Sequence, residues 1–382
     1  MAKVATLIAG IPVENPAFFH RVRFAVGDPA AWLRFDSDGK IETHFIVRDI
    51  EMDRARETVT ADTFACPADY TPAGGLSGDR ATATAQSVAE CLKRSEVELV
   101  RTDRTLPYIF AWHIQEAGIK IEYSPELGVS ERRSKDDQEL EWLQDAQRVT
   151  ENAMELACTT IAKAKANSNG ILMHDGSELT SERVRKLIST FLLDQDYLEP
   201  HGAIVATKPH TSDCHERGSG VLTTGEAVIV DIFPQSRSTH YCGDCTRTVV
   251  HGTPSDTMVK MHAAVVAAKA AAIAALRVDA TADDVHGATK STLEQHGFPF
   301  RRGEISDDPV MPHGTGHGVG LEVHEPILLD DNGGTIVENE VLTVEPGLYS
   351  RNFGGVRVED MVVSTSGQAR NLNALHEGLD WS

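Results

Sequence analysis

Three histidines lie within twelve positions of one glycine-rich stretch, Met311 to His324. Histidine is the commonest side-chain metal ligand and carries protons near neutral pH, and glycine lets a ligand or a second backbone approach closely. Alternate side chains of a strand share a face, so His313 and His317 are expected to point the same way. A lone histidine is more often structural, and this stretch predicts a functional site only if carboxylates elsewhere complete it.

Carboxylates do occupy neighbouring apolar segments, at positions where a strand would favour valine or isoleucine. Two precede the histidine stretch and two follow it, namely Asp231, Asp244, Glu345 and Glu359. A buried carboxylate without a partner is very costly, and convergence on divalent cations would remove that cost. Oxygen-rich ligation with one imidazole suits Mn, Co, Fe or Zn, and two ions require bridging carboxylates.

These residues and their surroundings resemble the pita-bread metallopeptidases, the family of methionine aminopeptidase, aminopeptidase P and prolidase. The resemblance covers roughly residues 135–382 and includes the Thr-Arg-Thr sequence at residues 246–248. The family's metal ligands are Asp, Asp, His, Glu and Glu in this order, which corresponds here to Asp231, Asp244, His317, Glu345 and Glu359. The resemblance implies two divalent metal ions, with Mn favoured over Co, Zn or Fe.

Two further patterns are similar to the aminopeptidase P, prolidase and creatinase branch of the family. They are Val-His-Glu-Pro at residues 323–326 and Gly-Val-Arg-Val-Glu-Asp at residues 355–360. The branch implies an α/β N-terminal domain over residues 1–133 and an α+β pita-bread catalytic domain over residues 134–382. It also implies a homodimer that hydrolyses short peptides with proline second, either Xaa-Pro dipeptides or longer peptides.

The resemblance also implies roles for individual residues. Glu345 would move the proton of the attacking water, and His324 would contact the substrate carbonyl or amide. His210, in a loop before the first aspartate, would contact the leaving side, and His313 would lie near the mouth of the site. Arg357 lies two positions before the last ligand on the same strand face, where it could orient a ligating carboxylate or bind a substrate carboxylate.

Two other interpretations stay open at this point. One is a catalytically inactive binding module, like the peptidase-like domain of histone chaperones, and the other is a creatinase-like hydrolase that works without metals. Both kinds of protein lack the full set of ligands, which this chain retains, and metal analysis of the protein would separate them from a metallopeptidase.

The N-terminal third shows strands alternating with helices, which predicts a small α/β domain. Strands are expected at residues 4–13, 31–35, 44–48, 96–100 and 119–122, with helices at 85–94 and 106–117. Four aromatic residues of this part are expected in the core or an interface rather than in catalysis, namely Trp32, Phe35, Trp112 and Tyr123. The polar residues 125–137 are the expected linker.

The rest of the chain predicts the elements that must position the acids. Helices are expected at 139–165, at 181–193 behind the cap Thr180, from Pro254 through the alanine-rich residues 263–276, and at 282–296 before Gly297. Two strands joined by residues 235–238 would bring the two aspartates to one end of a hairpin. His286 and His296 are expected on the surface.

Composition excludes several classes of function. The 382 residues suggest two domains, and a net charge of -21 argues against a nucleic-acid partner, which needs a basic face. No run approaches the roughly 20 apolar residues of a membrane span, so no membrane partner and a cytoplasmic location are expected. Six cysteines in this length are no disulfide framework. Cys242 and Cys245 form one C-x-x-C pair without a second pair to complete a zinc site.

Overall fold

The computed structural model describes residues 3–37 and 39–382. The chain forms two compact units, the first ending at Arg132 and the second spanning Arg133–Ser382. A short helix, α5 (Ser130–Arg133), lies at the boundary, within the segment expected as a linker.

The first unit is built on one six-stranded mixed sheet in the order β4-β3-β2-β1-β5-β6. Its strands are β1 (Val4–Gly10), β2 (Ala30–Ser37), β3 (Lys40–Ile46), β4 (Thr63–Ala65), β5 (Leu99–Thr102) and β6 (Lys120–Tyr123). Its helices are α1 (Pro16–Val22), α2 (Met52–Thr58), α3 (Arg80–Arg94) and α4 (Tyr108–Glu116). Strands that alternate with helices confirm the predicted α/β fold of this part.

Apolar side chains on both faces of this sheet form two cores. Leu7, Leu33 and Val100 pack with α3 and α4 on one side, and Ile8 and Phe45 pack with α1 and α2 on the other. Strand β1, an inner strand of the sheet, contributes to both cores, and its sequence Val-Ala-Thr-Leu-Ile-Ala-Gly is a nearly continuous apolar run.

Trp32 and Phe35 are buried, whereas Trp112 and Tyr123 are 45% and 56% exposed within the described residues. The core interpretation is therefore wrong for the last two residues, and an interface role for them stays a prediction.

Four longer helices form the outer layer of the second unit: α6 (Asp137–Ala162), α7 (Ser181–Asp194), α8 (Asp256–Ala275) and α9 (Ala282–Gln295). Local chemistry sets where they begin. Asp136 caps α6, because its side chain accepts from the Glu139 amide (2.8 Å) while Glu139 accepts from the Asp136 amide. Thr180 caps α7, as predicted.

The second unit contains several small antiparallel sheets. Two carry the predicted ligands: β11-β12-β14 and β16-β15-β17-β20-β21. The strands are β7 (Lys165–Ala166), β8 (Leu172–His174), β9 (Ser177–Glu178), β10 (Tyr197–Leu198), β11 (Ile204–Thr207), β12 (Ala227–Ile232), β13 (Gln235–Ser236), β14 (Cys245–Val250), β15 (Gly316–Gly318), β16 (Glu325–Leu329), β17 (Val341–Val344), β18 (Gly347–Ser350), β19 (Gly354–Arg357), β20 (Asp360–Val363) and β21 (Arg370–Asn371).

Each ligand-bearing sheet is covered by one pair of helices. Val149 of α6 and Ile188 of α7 pack with Val228 and Val230 of β12. Ala272 of α8 packs with α9 and with strands β17 and β20. The helices therefore hold the two sheets from outside, which confirms the predicted α+β architecture.

Helix α8 is apolar enough and long enough, by composition alone, to cross a membrane, which corrects the expectation that no segment approaches such a length. Its Met261, Ala264 and Ala268 are fully buried against the protein core, and 39% of the apolar window of this helix is buried within the described structure. Its cap is Ser255, whose hydroxyl accepts from the Met258 amide at 3.2 Å. Pro254 therefore precedes the helix and is not its first residue.

His286 of α9 lies in the protein interior, so its predicted surface position is wrong. The residue is fully buried, and its Nδ1 lies 2.9 Å from the Thr315 hydroxyl. The helix turns this face towards the sheet, where the hydroxyl satisfies a polar group that burial would otherwise penalise. His296 is exposed as predicted, and Gly297 follows α9 with a left-handed φ of 85°.

A buried ionic network joins α8 to the strand that follows the last predicted ligand. Asp360 accepts from Arg247 Nη2 at 2.8 Å and also from Lys269 Nζ, and all three side chains are at most 3% exposed. Burial opposes ionisation of Asp360, but the two cations lower the pKa of this carboxyl group. The network ties helix and strand together at the back of the site.

We expect Lys269→Met to destabilise the second unit by about 3–5 kcal/mol, the usual cost of removing one partner of a buried charge pair. Urea unfolding followed by tryptophan fluorescence would measure it. Lys260→Met is the matched control, because Lys260 lies exposed on the same helix and should change stability by less than about 0.5 kcal/mol. Equal effects of the two substitutions would contradict a structural role for the network.

Candidate metal centre

The two predicted aspartates lie at one end of an antiparallel strand pair. Asp231 of β12 is paired with Thr246 of β14, and Ile232 is paired with Cys245. Asp244 directly precedes β14, so the register brings both carboxylates to the same end of the sheet, as the hairpin prediction required.

The remaining three ligand candidates converge from the second sheet. His317 lies in β15, which pairs with β17, and Glu345 directly follows β17. Strand β17 pairs with β20 so that Val344 lies opposite Asp360, which puts Glu345 and Glu359 at the same end of that pair. A Cβ at Gly316 would lie 2.0 Å from the Thr343 carbonyl oxygen, so only glycine lets β15 approach this closely.

All five predicted ligands line one cavity of about 530 Å³. One ligand atom each from Asp244, His317 and Glu359 lie within 4.8 Å of one another. These three residues are at most 6% exposed. The sequence prediction that four acids and one histidine converge therefore describes the geometry of this cavity.

The hydrogen bonds of His317 orient its ring towards the acids. Its Nδ1 lies 3.0 Å from the Gly318 carbonyl oxygen, the arrangement in which Nδ1 carries the proton and donates it. Nε2 then faces Glu345 Oε1 at 3.3 Å and Asp244 Oδ2 at 3.8 Å. A histidine held through its other nitrogen in this way is typical of metal ligands.

Arg357 is hydrogen-bonded to several groups around the site. Its guanidinium donates to Asp231 Oδ2 at 2.7 Å, to the Tyr349 hydroxyl at 2.9 Å and to the Thr246 hydroxyl at 3.2 Å. The Thr246 hydroxyl itself donates to Glu359 Oε2 at 2.8 Å. Of the two roles that the sequence left open for Arg357, these contacts favour the orientation of a ligating carboxylate.

Gln147 of α6 is a supporting residue that the sequence analysis missed. Its side chain accepts from the Asp244 amide at 2.9 Å and donates to the Asp244 carbonyl at 2.7 Å, and it is fully buried. The available signal was a polar residue on the helix face that also carries Leu143 and Ala146. That face is otherwise apolar, and a buried polar side chain needs partners.

The pKa shifts of the acids show that the site lacks positive charge. Burial and mutual repulsion raise the pKa of Asp231, Asp244 and Glu359. Burial opposes ionisation of Glu345 as well, but the hydrogen bond and charge of His317 lower the pKa of this group to about 2. Among the described residues, none donates a hydrogen bond to Asp231 Oδ1, although that atom is buried.

Divalent cations would relieve each of these costs, because they bind ionised carboxylates and replace the missing donors. The residues present therefore fit a metal centre. Oxygen ligands with one imidazole are the donor set expected for Mn, Co, Fe or Zn.

The predicted histidines of the glycine-rich stretch also line the cavity. His313 contacts the Tyr349 hydroxyl through Nε2 at 2.9 Å and the Gly314 carbonyl through Nδ1 at 2.7 Å. It reaches the cavity from the loop before β15 and not from the strand itself. The ring of His324 lies 4.4 Å from that of His317, centroid to centroid, and burial lowers the pKa of His324.

His210 is placed differently from its prediction. It lies in a one-turn 3-10 helix, His210–Ser212, and is not among the described residues that line the cavity. The turn ends before the loop reaches the cavity, which Cys214, His215 and the more distant His201 line instead. The structure therefore brings His215 to the cavity, whereas the substrate contact that the resemblance implied for His210 stays a prediction.

Cys242 and Cys245 are buried thiols. Burial raises the pKa of Cys245 well above its usual value, which favours the thiol over the thiolate that metals bind. The pair therefore belongs to the core beside Asp244.

Comparison with known proteins agrees with this geometry. The model of metallopeptidase family M24 matches residues 141–366. The chain is similar to the Xaa-Pro dipeptidase of Pyrococcus furiosus, 32% identical over 159 residues, which are 41% of this chain and 42% of that protein. It is also similar to Xaa-Pro aminopeptidase 1 of Streptomyces coelicolor, 32% identical over 231 residues, which are 52% of this chain and 46% of that protein. The chain spans 40–60% of the length of the curated relatives it matches.

Solved structures share the fold over nearly the whole chain. The Xaa-Pro dipeptidase of Bacillus anthracis superposes with a TM-score of 0.78 at 22% identity, covering 99% of this chain and 94% of that one. At this identity the likeness establishes the fold, with an N-terminal domain and a pita-bread catalytic domain. The family match extends over more than half of the chain and includes all five acidic and histidine ligands at the cavity. The chain belongs to metallopeptidase family M24.

Proposed function

We propose that this protein is a dinuclear metal-dependent exopeptidase that hydrolyses the peptide bond before proline in short peptides. The observation that carries the proposal is the convergence of Asp231, Asp244, His317, Glu345 and Glu359 on one cavity of about 530 Å³. A catalytically inactive module or a metal-free hydrolase gives no reason to retain four costly buried acids.

The number of carboxylates supports two ions. Four acids carry more negative charge than one divalent ion neutralises. Within the described part of the chain, only Asp231 of these four has an arginine within 3 Å, with Arg357 Nη2 at 2.7 Å. Asp244 and Glu359 lie deepest, at 3% and 2% exposure, and would hold the ions together with Asp231, His317 and Glu345. Manganese is the proposed metal, because hard oxygen ligands predominate.

Bound metal ions would supply an activated water by lowering its pKa to about 7. The chain's own residues then handle the protons and the substrate. Glu345 is the acid best placed to accept the proton of the water, since its side chain is more exposed to the cavity, at 20%, than those of Asp231 and Asp244, at 11% and 4%.

Three histidines offer contacts for the substrate. His324 is neutral at pH 7, since burial lowers its pKa, and its ring N–H would donate to the substrate carbonyl oxygen as charge develops there. His313 is held by Tyr349 and Gly314 at the cavity wall. His215 lines the same cavity from the loop before β12, and we assign it to the leaving side in place of His210.

The preference for proline rests on the cavity walls and on the relatives. Ile204, Phe233, Val323 and Leu328 give the cavity an apolar lining beside the acids, which suits a pyrrolidine ring. The relatives that the family comparison found include proteins named Xaa-Pro dipeptidase and Xaa-Pro aminopeptidase. Assembly as a homodimer and a cytoplasmic location stay predictions.

A peptide panel tests the proposal. We expect the protein with Mn²⁺ to cleave Xaa-Pro dipeptides or Xaa-Pro-Xaa peptides at least about tenfold faster than Xaa-Ala or Met-Ala peptides, since one apolar contact contributes roughly 1–3 kcal/mol to specificity. Liquid chromatography of the products would measure the rates with Mn, Co and Zn. Chelation should abolish activity. Metal binding without hydrolysis of any peptide would favour the binding module, and hydrolysis that survives chelation would favour the metal-free hydrolase.

Removing the charge of one buried acid should release the bound metal without unfolding the protein. We expect Asp244→Asn and Glu359→Gln each to lower turnover at least about 100-fold, beyond the 10–100-fold range of residues behind the ligands, and to lose bound metal. Elemental analysis and circular dichroism would show the two effects separately. Asp308→Asn is the control, because Asp308 is exposed and outside the cavity. Full activity of either variant would refute the dinuclear site.

The two loop histidines should behave differently. We expect His215→Ala to lower kcat/KM by about 10–100-fold, in the range of a lost polar contact at the reacting peptide, with metal content unchanged. His210→Ala should stay within about twofold of the wild type, because this side chain does not reach the cavity. Steady-state kinetics on the best peptide of the panel would decide. The reverse pattern would restore the role that the sequence first assigned to His210.

A further inference from the structure

We infer that Lys135, through a buried ion pair with Glu325, positions the turn that carries His324. Lys135 is thus a positioning residue for a substrate contact that it does not itself make. The ion pair joins the first residues of the second unit to the residue directly after His324, and both side chains are 2% exposed.

The Glu325 carboxylate contacts the turn Gly320–His324 from its buried side. Its Oε1 accepts from the Leu321 amide at 2.9 Å, and its Oε2 accepts from Lys135 Nζ at 2.8 Å. A Cβ at Gly320 would lie 2.7 Å from both carboxylate oxygens, so the carboxylate packs directly under the turn. Because Val323 and His324 at the end of this turn line the cavity, a shift of the carboxylate would move the cavity wall.

The other end of the ion pair is fixed independently of the turn. The Lys135 amide donates to the Asn339 carbonyl at 3.1 Å, and the Ser134 hydroxyl donates to the Glu338 carbonyl at 2.8 Å. Arg133 Nε donates to Glu340 Oε1 at 2.5 Å. The segment of residues 133–135 is therefore held against the loop before β17. Through its ion pair with Glu325, Lys135 ties the turn to this segment.

A buried charge pair is a poor way to gain stability, because the loss of hydration of both ions offsets most of their attraction. Its usual advantage is that it specifies one geometry, since the charges can be paired in few arrangements. Here the geometry that it specifies is the distance between segment 133–135 and the turn Gly320–His324. The mechanism proposed above uses neither charge directly.

The first test is structural and does not depend on catalysis. Histidine-ring signals in two-dimensional NMR of the zinc-loaded full chain would be compared between the wild type and Lys135→Met, with the His324 signal assigned by its loss in His324→Ala. We expect the His324 signal to shift or broaden in Lys135→Met. Lys208→Met is the control, since it breaks a lysine–glutamate pair, with Glu226 at 3.4 Å, that lies outside both segment 133–135 and the turn, and it should leave the signal unmoved. An unmoved signal in Lys135→Met, or an equal change in both variants, would overturn the inference.

The second test uses kinetics and rests on the proposed function. We expect Lys135→Met to lower kcat by about 10–100-fold, the usual cost of removing the support of an active residue. In the His324→Ala background the same substitution should change kcat by less than about twofold, because residues that act through one another are not additive. Additive effects, or loss of bound metal, would overturn the inference. Failure to cleave any peptide would refute the proposed function alone, since the NMR result still stands.

Glu325→Gln covers the case in which Lys135→Met does not fold. Glutamine keeps the size of the side chain and an acceptor oxygen for the Leu321 amide, but it removes the charge that holds Lys135. The His324 signal should shift in this variant as well, with circular dichroism unchanged. A wild-type signal in folded Glu325→Gln would contradict the inference.

Discussion

The electrostatic cost of four carboxylates in one cavity is the constraint on which the rest of this structure depends. The four acids lie in or directly beside different strands, and their charges repel one another where water screens them little. They are Asp231, Asp244, Glu345 and Glu359. The surrounding protein compensates only in part, with Arg357 on Asp231 and His317 beside Glu345. The remainder of the negative charge makes the cavity a site for cations.

Two antiparallel sheets bring the four carboxylates to one cavity. Each sheet supplies two or three ligands at one strand end, and each is held from outside by two helices, α6 with α7 and α8 with α9. Behind the site lies a second group of buried charges, which are paired with one another within the protein. They are Arg247, Lys269 and Asp360. These paired charges join α8 to β20, and the charge of the cavity acids that the protein does not pair remains for cations.

Sequence patterns predicted the features that depend on local sequence, such as helix caps and acids in apolar segments. Helix α7 begins behind its predicted cap, Thr180, and acids in apolar segments marked the carboxylates that line the cavity. What failed depended on tertiary contacts. The burial of His286 follows from the sheet that α9 covers, and the choice of His215 over His210 follows from where a 3-10 turn ends. Gln147 stayed unnoticed because its partner, the Asp244 backbone, is 97 residues away in the chain.

The two hydrogen bonds between Gln147 and Asp244 also affect how the centre can be loaded. Both hydrogen bonds are made to the main chain of Asp244 and neither to its carboxylate. The position of its Cα is therefore set by protein groups alone. A ligand fixed in this manner does not need a metal to find its place during folding, and metal binding is then only weakly coupled to folding. Ion exchange should therefore proceed on the folded protein, and the surrounding supply of metals would determine which ion is bound.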